Sequence, residues 1–146
     1  MKNILFIVFL FFVSSHLSLG EEIADPCRKS TEGTDFWFGF MESRWHSNNH
    51  KLEITVTARE TTTFEIFYGT DSIPLANNPI SVSANNQVTI LIDDELVEAK
   101  GSEVSENKGI HLISKKPVNV YALNYDRRSS DVAVIYPTTS LGVEYF

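Results

Sequence analysis

A single cysteine, Cys27, occurs in the 146 residues, so no disulfide can close within the chain. It stands in a polar stretch, Asp25-Pro26-Cys27-Arg28-Lys29, with no histidine close in sequence to serve a catalytic thiol. A leftover cysteine has three outcomes: a bond to another chain, a bond to a cysteine outside this sequence, or a free thiol. A free thiol or an intermolecular disulfide is expected. Positive charge is also scarce: 12 Lys+Arg against 19 Asp+Glu give a net charge of −7. Phosphate backbones require a basic face, so nucleic acid is excluded as a partner. Electrostatic attachment to anionic lipid is excluded on the same ground. Outside the first twenty residues, no long segment carries apolar residues at i, i+3, i+4 and i+7, which excludes a helical architecture. No Asn-x-Ser/Thr sequon and no internal repeat occurs.

Catalytic signatures are missing as well. There is no Gly-x-Ser-x-Gly elbow, no His-Glu-x-x-His, no phosphate loop and no dinucleotide fingerprint. His46 and His50 are four apart, a spacing that brings two ligands together only on a helix, and Glu42–Lys51 (ESRWHSNNHK) reads as a loop. Trp45 in that loop is either pinned beneath it or offered to a partner. Asp93-Asp94-Glu95 lacks the alternating ligands and bend glycine of a calcium loop, and reads as a solvated strand end. His111 falls on the opposite face from Ile110 and Leu112, a strand histidine on a half-wet surface. Ser129-Ser130-Asp131 are neighbours along a loop and do not converge as a triad must. No enzyme, no cofactor and no metal site is expected.

What is present begins with a targeting segment. Lys2 precedes an unbroken apolar run, Ile4–Val13, and Ser18-Leu19-Gly20 supplies small residues for cleavage. The run is shorter than the ~20 residues of a membrane span. Residues 1–20 therefore read as a signal peptide and the protein as exported, secreted or at the cell surface, with no membrane insertion of the mature chain. Its removal takes away Lys2 alone and leaves a net charge of −8. Residues 21–33 form a polar leader, and 34–146 form one β domain. A domain of that size buries about two-thirds of its unfolded surface, so one core suffices.

Strand signals fill the domain. Phe36–Met41 (FWFGFM) is the densest aromatic cluster and reads as a core strand, with Gly39 marking a bulge or a close backbone approach. Leu52–Ala58 alternates apolar and polar residues. Across Arg59–Thr62 it is expected to form a hairpin with Thr63–Tyr68, whose Phe64, Ile66 and Tyr68 point inward. Ile80–Val82 and Val88–Ile92 suggest a second hairpin about Asn85-Asn86. Leu96–Ala99 is a further short strand. Gly109–Tyr136 holds three apolar runs: Ile110–Ile113, Val118–Tyr125 and Val132–Tyr136. Pro117, which cannot donate to a ladder, separates the first two. The expected fold is an all-β, antiparallel β-sandwich.

The words Gly33-Thr34-Asp35-Phe36-Trp37-Phe38-Gly39-Phe40-Met41, Ser105–His111, Lys116–Tyr125, Ser129-Ser130-Asp131 and Tyr136-Pro137-Thr138 resemble the N-terminal domain of the IgG Fc-binding protein family. The match runs from about Gly33 to the last residue. The family domain is longer than this chain, so Leu141–Phe146 is expected to be the start of a strand cut short by truncation, with self-association as its consequence. The resemblance implies a non-enzymatic module that engages an extracellular protein or glycoprotein, in the named family the Fc part of immunoglobulin. Tyr125, Arg127 and Arg128 are the candidate binding residues, since tyrosine and arginine are the types most often energetic at interfaces. The competing reading balances the two arginines against Asp126 and Asp131. Two other functions stand beside this one: a structural or adhesive piece of a larger surface protein, and a secreted hydrolase.

Overall fold

The computed structural model describes residues 29–42, 50–69 and 73–142. The expected signal peptide, most of the leader with Cys27, the loop residues Trp45 and His46, and the last four residues lie outside that range. The chain runs through β1 (Gly33–Phe38), β2 (Phe40–Met41), β3 (Lys51–Ala58), β4 (Thr62–Tyr68), β5 (Ile73–Pro74), β6 (Ile80–Val82) and β7 (Asn86–Ile92). A one-turn helix α1 (Asp94–Val97) follows, then β8 (Glu98–Ala99), β9 (Ile110–Asp126), β10 (Ser129–Ile135) and a 3₁₀ turn (Thr138–Ser140). No helix among the described residues is long and apolar enough to cross a membrane.

The expected all-β, antiparallel class is what forms. Where two stacked sheets were anticipated, one eight-stranded sheet curls into a half-barrel, accompanied by a short parallel pair, β2 with β8. Its spine is β9, 17 residues long. The two runs expected to be separate strands, Ile110–Ile113 and Val118–Tyr125, are one strand passing through Pro117. The reason lies in the partners. On one edge β9 pairs with β4 up to Phe64↔Ser114 and with β3 from Ala58↔Val118. On the other edge it pairs with β1, whose register jumps between Gly33↔Val118 and Asp35↔Ile113, and with β10 from Ile135↔Val120. Residues 115–117 thus sit in a gap between ladders on both sides, and a proline there forfeits no ladder bond.

The same gap corrects both expected hairpins. β3 and β4 do not pair with each other; both lie antiparallel to β9, end to end along one edge. β6 and β7 likewise continue one another, β6 on β4 and β7 on β3. Four ribbons therefore cross one crease, at residues 59–61, 83–85 and 115–117 and between β10 and β1. Side chains close the crease where the ladders stop. Thr62 Oγ1 accepts the Lys116 N–H at 3.1 Å, Thr61 Oγ1 accepts the Ala84 N–H at 3.1 Å, and Ser114 Oγ donates to the Lys116 carbonyl at 2.8 Å. Asn85 takes a φ of 54°, and its N–H reaches the Ala58 carbonyl at 2.8 Å. Asparagine tolerates that backbone region better than most residues. Between β5 and β6, Asn78 replaces a missing stretch of strand: its side chain accepts from Ile66 N–H at 3.1 Å and donates to the Ile66 carbonyl at 3.0 Å.

Inside the curl, period-two alternation delivers a continuous core. Phe36, Leu112 and Ile66 form one cross-strand row with no exposed surface, and Val56 with Val120 forms another. Each fully buried side chain of this kind contributes about 1.5–3 kcal/mol. The aromatic cluster divides accordingly: Phe36 and Phe40 are core, while Trp37 faces outward. Gly39 separates β1 from β2, and nothing approaches where its Cβ would be. Gly33 is the position with a close approach, because a Cβ there would overlap the Pro137 ring. Part of the expected strand Leu96–Ala99 is instead the end of α1. Asp93 caps that turn, its carboxylate accepting the Glu95 N–H at 3.1 Å.

Candidate functional site

The outward face of the β10–β9–β3–β7 ribbon grades from apolar to amide-rich. At its far end Tyr125 is exposed, and the Arg127–Arg128 turn carries both arginines on the surface. The three candidate binding residues are thus together at one hairpin tip. Asp126, between them in sequence, is turned inward and buried, and its Oδ1 accepts the Arg128 N–H at 3.2 Å. Towards the crease, register sets Val132 opposite Leu123 and Val134 opposite Tyr121, all on the face that carries Tyr125. Val132 and Val134 are 68% and 43% exposed. Further along β9, Asn119 opens an outward groove of about 620 Å³, whose lining includes Glu32, Arg59, Asn85, Asn86 and Gln87. Arg59 Nε meets Glu32 Oε1 at 2.7 Å, and Asn119 Nδ2 donates to the same oxygen at 3.3 Å. Sequence reasoning missed this groove. The Asn85-Asn86-Gln87 run was legible, but its approach to Asn119 depends on β3 lying between β7 and β9, with Thr57 opposite both Gln87 and Asn119.

The other end of the sheet carries a second outward cluster. Trp37 stacks on His111 with ring centroids 4.1 Å apart and planes 13° from parallel. Asp35 Oδ1 lies 3.1 Å from His111 Nε2. Register explains the meeting, since Trp37 and His111 are directly opposed in β1 and β9. His111 does face away from Ile110 and Leu112, as the alternation requires. The tryptophan cover leaves it 8% exposed, drier than the half-wet surface expected.

A third group stands where the α1–β8 segment packs on the core through Val97. His50, just before β3, meets Asp94 and Glu98 from the α1–β8 segment, with one ligand atom of each within 4.8 Å of the others. His50 Nε2 is 3.4 Å from Glu98 Oε1, and their side chains are 4% and 0% exposed. One helical turn brings Asp94 and Glu98, at i and i+4, to the same side. Pairing of Glu98 with Phe40 then fixes the segment against the core. Three sequence features were visible separately: the loop histidine, the acidic run and the short apolar piece. A four-residue helix has no periodic signature to join them.

No family model and no curated protein matches the chain. Among solved structures, the crystal structure of Thermotoga maritima 1070 is similar, at 17% identity over 77% of this chain and all of that one, with a TM-score of 0.42. That likeness is too loose to bear on function.

Proposed function

We propose that the chain is a secreted or cell-surface, non-enzymatic binding module that engages an extracellular glycoprotein through the outward face of the β10–β9–β3–β7 ribbon. The observation that carries this reading is the continuity of that face. Tyr125, Arg127 and Arg128 at the tip run into Leu123, Val132, Tyr121 and Val134, and these run into the groove at Asn119. Aromatic and arginine side chains with an apolar neighbour suit a polypeptide surface. Amide side chains lining an open groove suit sugar hydroxyls, which need paired donors and acceptors. Two adjacent arginines in a chain of net charge −7 direct acidic groups of a partner to the tip. The resemblance to the IgG Fc-binding N-terminal domain makes a glycosylated immunoglobulin Fc the first partner to try.

The test compares wild type with the triple variant Y125A/R127A/R128A, each immobilised and exposed to Fc and to the host's extracellular fluid. A protein retained by wild type and released at least tenfold more readily by the triple variant supports the reading. Equal retention by both removes the face from the function. Retention of nothing by wild type removes the binding module itself.

A further inference from the structure

From the convergence of His50, Asp94 and Glu98 we infer a binding site for a divalent transition-metal ion of zinc type, built from one imidazole and two carboxylates. Two atoms that each ligate tetrahedral zinc at about 2.0–2.1 Å lie about 3.4 Å apart. His50 Nε2 and Glu98 Oε1 are 3.4 Å apart. The third ligand, an Asp94 oxygen, falls within 4.8 Å of both. Its side chain is only half-buried at the start of a one-turn helix, so a rotamer change brings it in. Imidazole with carboxylate suits zinc and its first-row neighbours and disfavours calcium, which takes oxygen alone.

Burial makes the arrangement chemically pointed. Glu98 is fully buried, and a cation held between it and the half-buried Asp94 would be attracted by both carboxylates. Lys108 Nζ ties the same segment down through its main chain, donating to the carbonyls of Glu98 at 2.8 Å and Glu95 at 3.3 Å. The ligands also come from separate pieces of chain, His50 from the head of β3 and the other two from the α1–β8 segment. A bound ion would clamp that segment, and β2 with it, to the head of β3. The site is independent of the outward face and of the glycoprotein reading.

The competing arrangement is a protonated His50 paired with Glu98, which the same distance permits. Zinc alone decides between them. The full chain, stripped with chelator, is titrated with Zn²⁺ by calorimetry, with Ca²⁺ as control, while the His50 ring nitrogens are followed by ¹⁵N NMR. The expected result is one equivalent of zinc bound, a displaced His50 Nε2 resonance, a melting point raised by several degrees, and no response to calcium. H50Q and D94N, each folded as judged by near-UV dichroism, are expected to weaken zinc binding at least tenfold. The wild-type NMR titration stands whether or not the variants fold. A His50 resonance that does not move at one equivalent overturns the site, as does zinc binding that survives both substitutions.

Discussion

Replacing Thr62 by valine tests whether side chains hold the sheet at its crease. Thr62 is 6% exposed, and its Oγ1 accepts the Lys116 N–H at 3.1 Å where no strand partner reaches. Valine keeps the shape and the strand preference of threonine, so the change removes the acceptor and a long donation to the Thr63 carbonyl at 3.5 Å. An ordinary hydrogen bond is worth about 0.5–1.5 kcal/mol, and a buried donor left without an acceptor costs about 1–3 kcal/mol. Residue 116 itself is exposed, so water reaches part of the site and the loss falls in the lower half, about 1–2 kcal/mol. In a domain of this size each kcal/mol moves the melting point by about 4 °C, so a fall of about 4–8 °C is expected. Urea unfolding should give a lower midpoint with an unchanged slope. Thr55 supplies the control: its hydroxyl meets that of Thr89 at 2.9 Å on the exposed face. Valine there should alter stability by no more than about 0.5 kcal/mol. If T62V melts with T55V, the crease is not fastened as described.

Gly33→Ala forces a Cβ into the Pro137 ring and should cost about 1–3 kcal/mol by urea unfolding, while Gly39→Ala, with open space around it, should cost far less. The Lys116 ammonium, hydrogen-bonded to Glu60 across the crease, holds the Glu60 carboxyl below its ordinary value of 4.5. A depressed carboxylate contributes stability above its unfolded pKa and loses it as pH falls through the folded one. The wild type should therefore exceed E60Q slightly in melting point above about pH 5 and match it in strong acid, the difference being small because both partners are exposed.

Much of the fold was legible because alternation is a local property. Leu52, Ile54, Val56 and Ala58 face the core as their spacing says, and so do Phe64 and Ile66. Which strands pair is not local. Arg59–Thr62 looked like a hairpin turn only because it separates two alternating runs, yet it holds no glycine or asparagine to take a positive φ. The reversal comes later, after Gly69, whose φ is 73°. Pro117 reads as a boundary because a proline removes one N–H, but whether that N–H has a partner to lose depends on where β3, β4 and β1 end. Tyr125, Arg127 and Arg128 needed only a hairpin to be neighbours, so sequence could bring them together. His50, Asp94 and Glu98 needed the whole curl and a one-turn helix without period, so it could not. Trp37 shows both sides of this: alternation with the buried Phe36 turns it outward, but its stacking partner His111 is set only by the pairing of β1 with β9.

The outward face, its groove and its hairpin tip all depend on β9 being one unbroken spine. Nuclear Overhauser contacts between backbone protons read this directly. Contacts are expected between Val56 and Val120, between Ile66 and Leu112, and between Val132 and Leu123. Cross-strand contacts between the β3 and β4 backbones, in place of those to residues 110–125, would show a separate hairpin and contradict the creased sheet and the surface built on it.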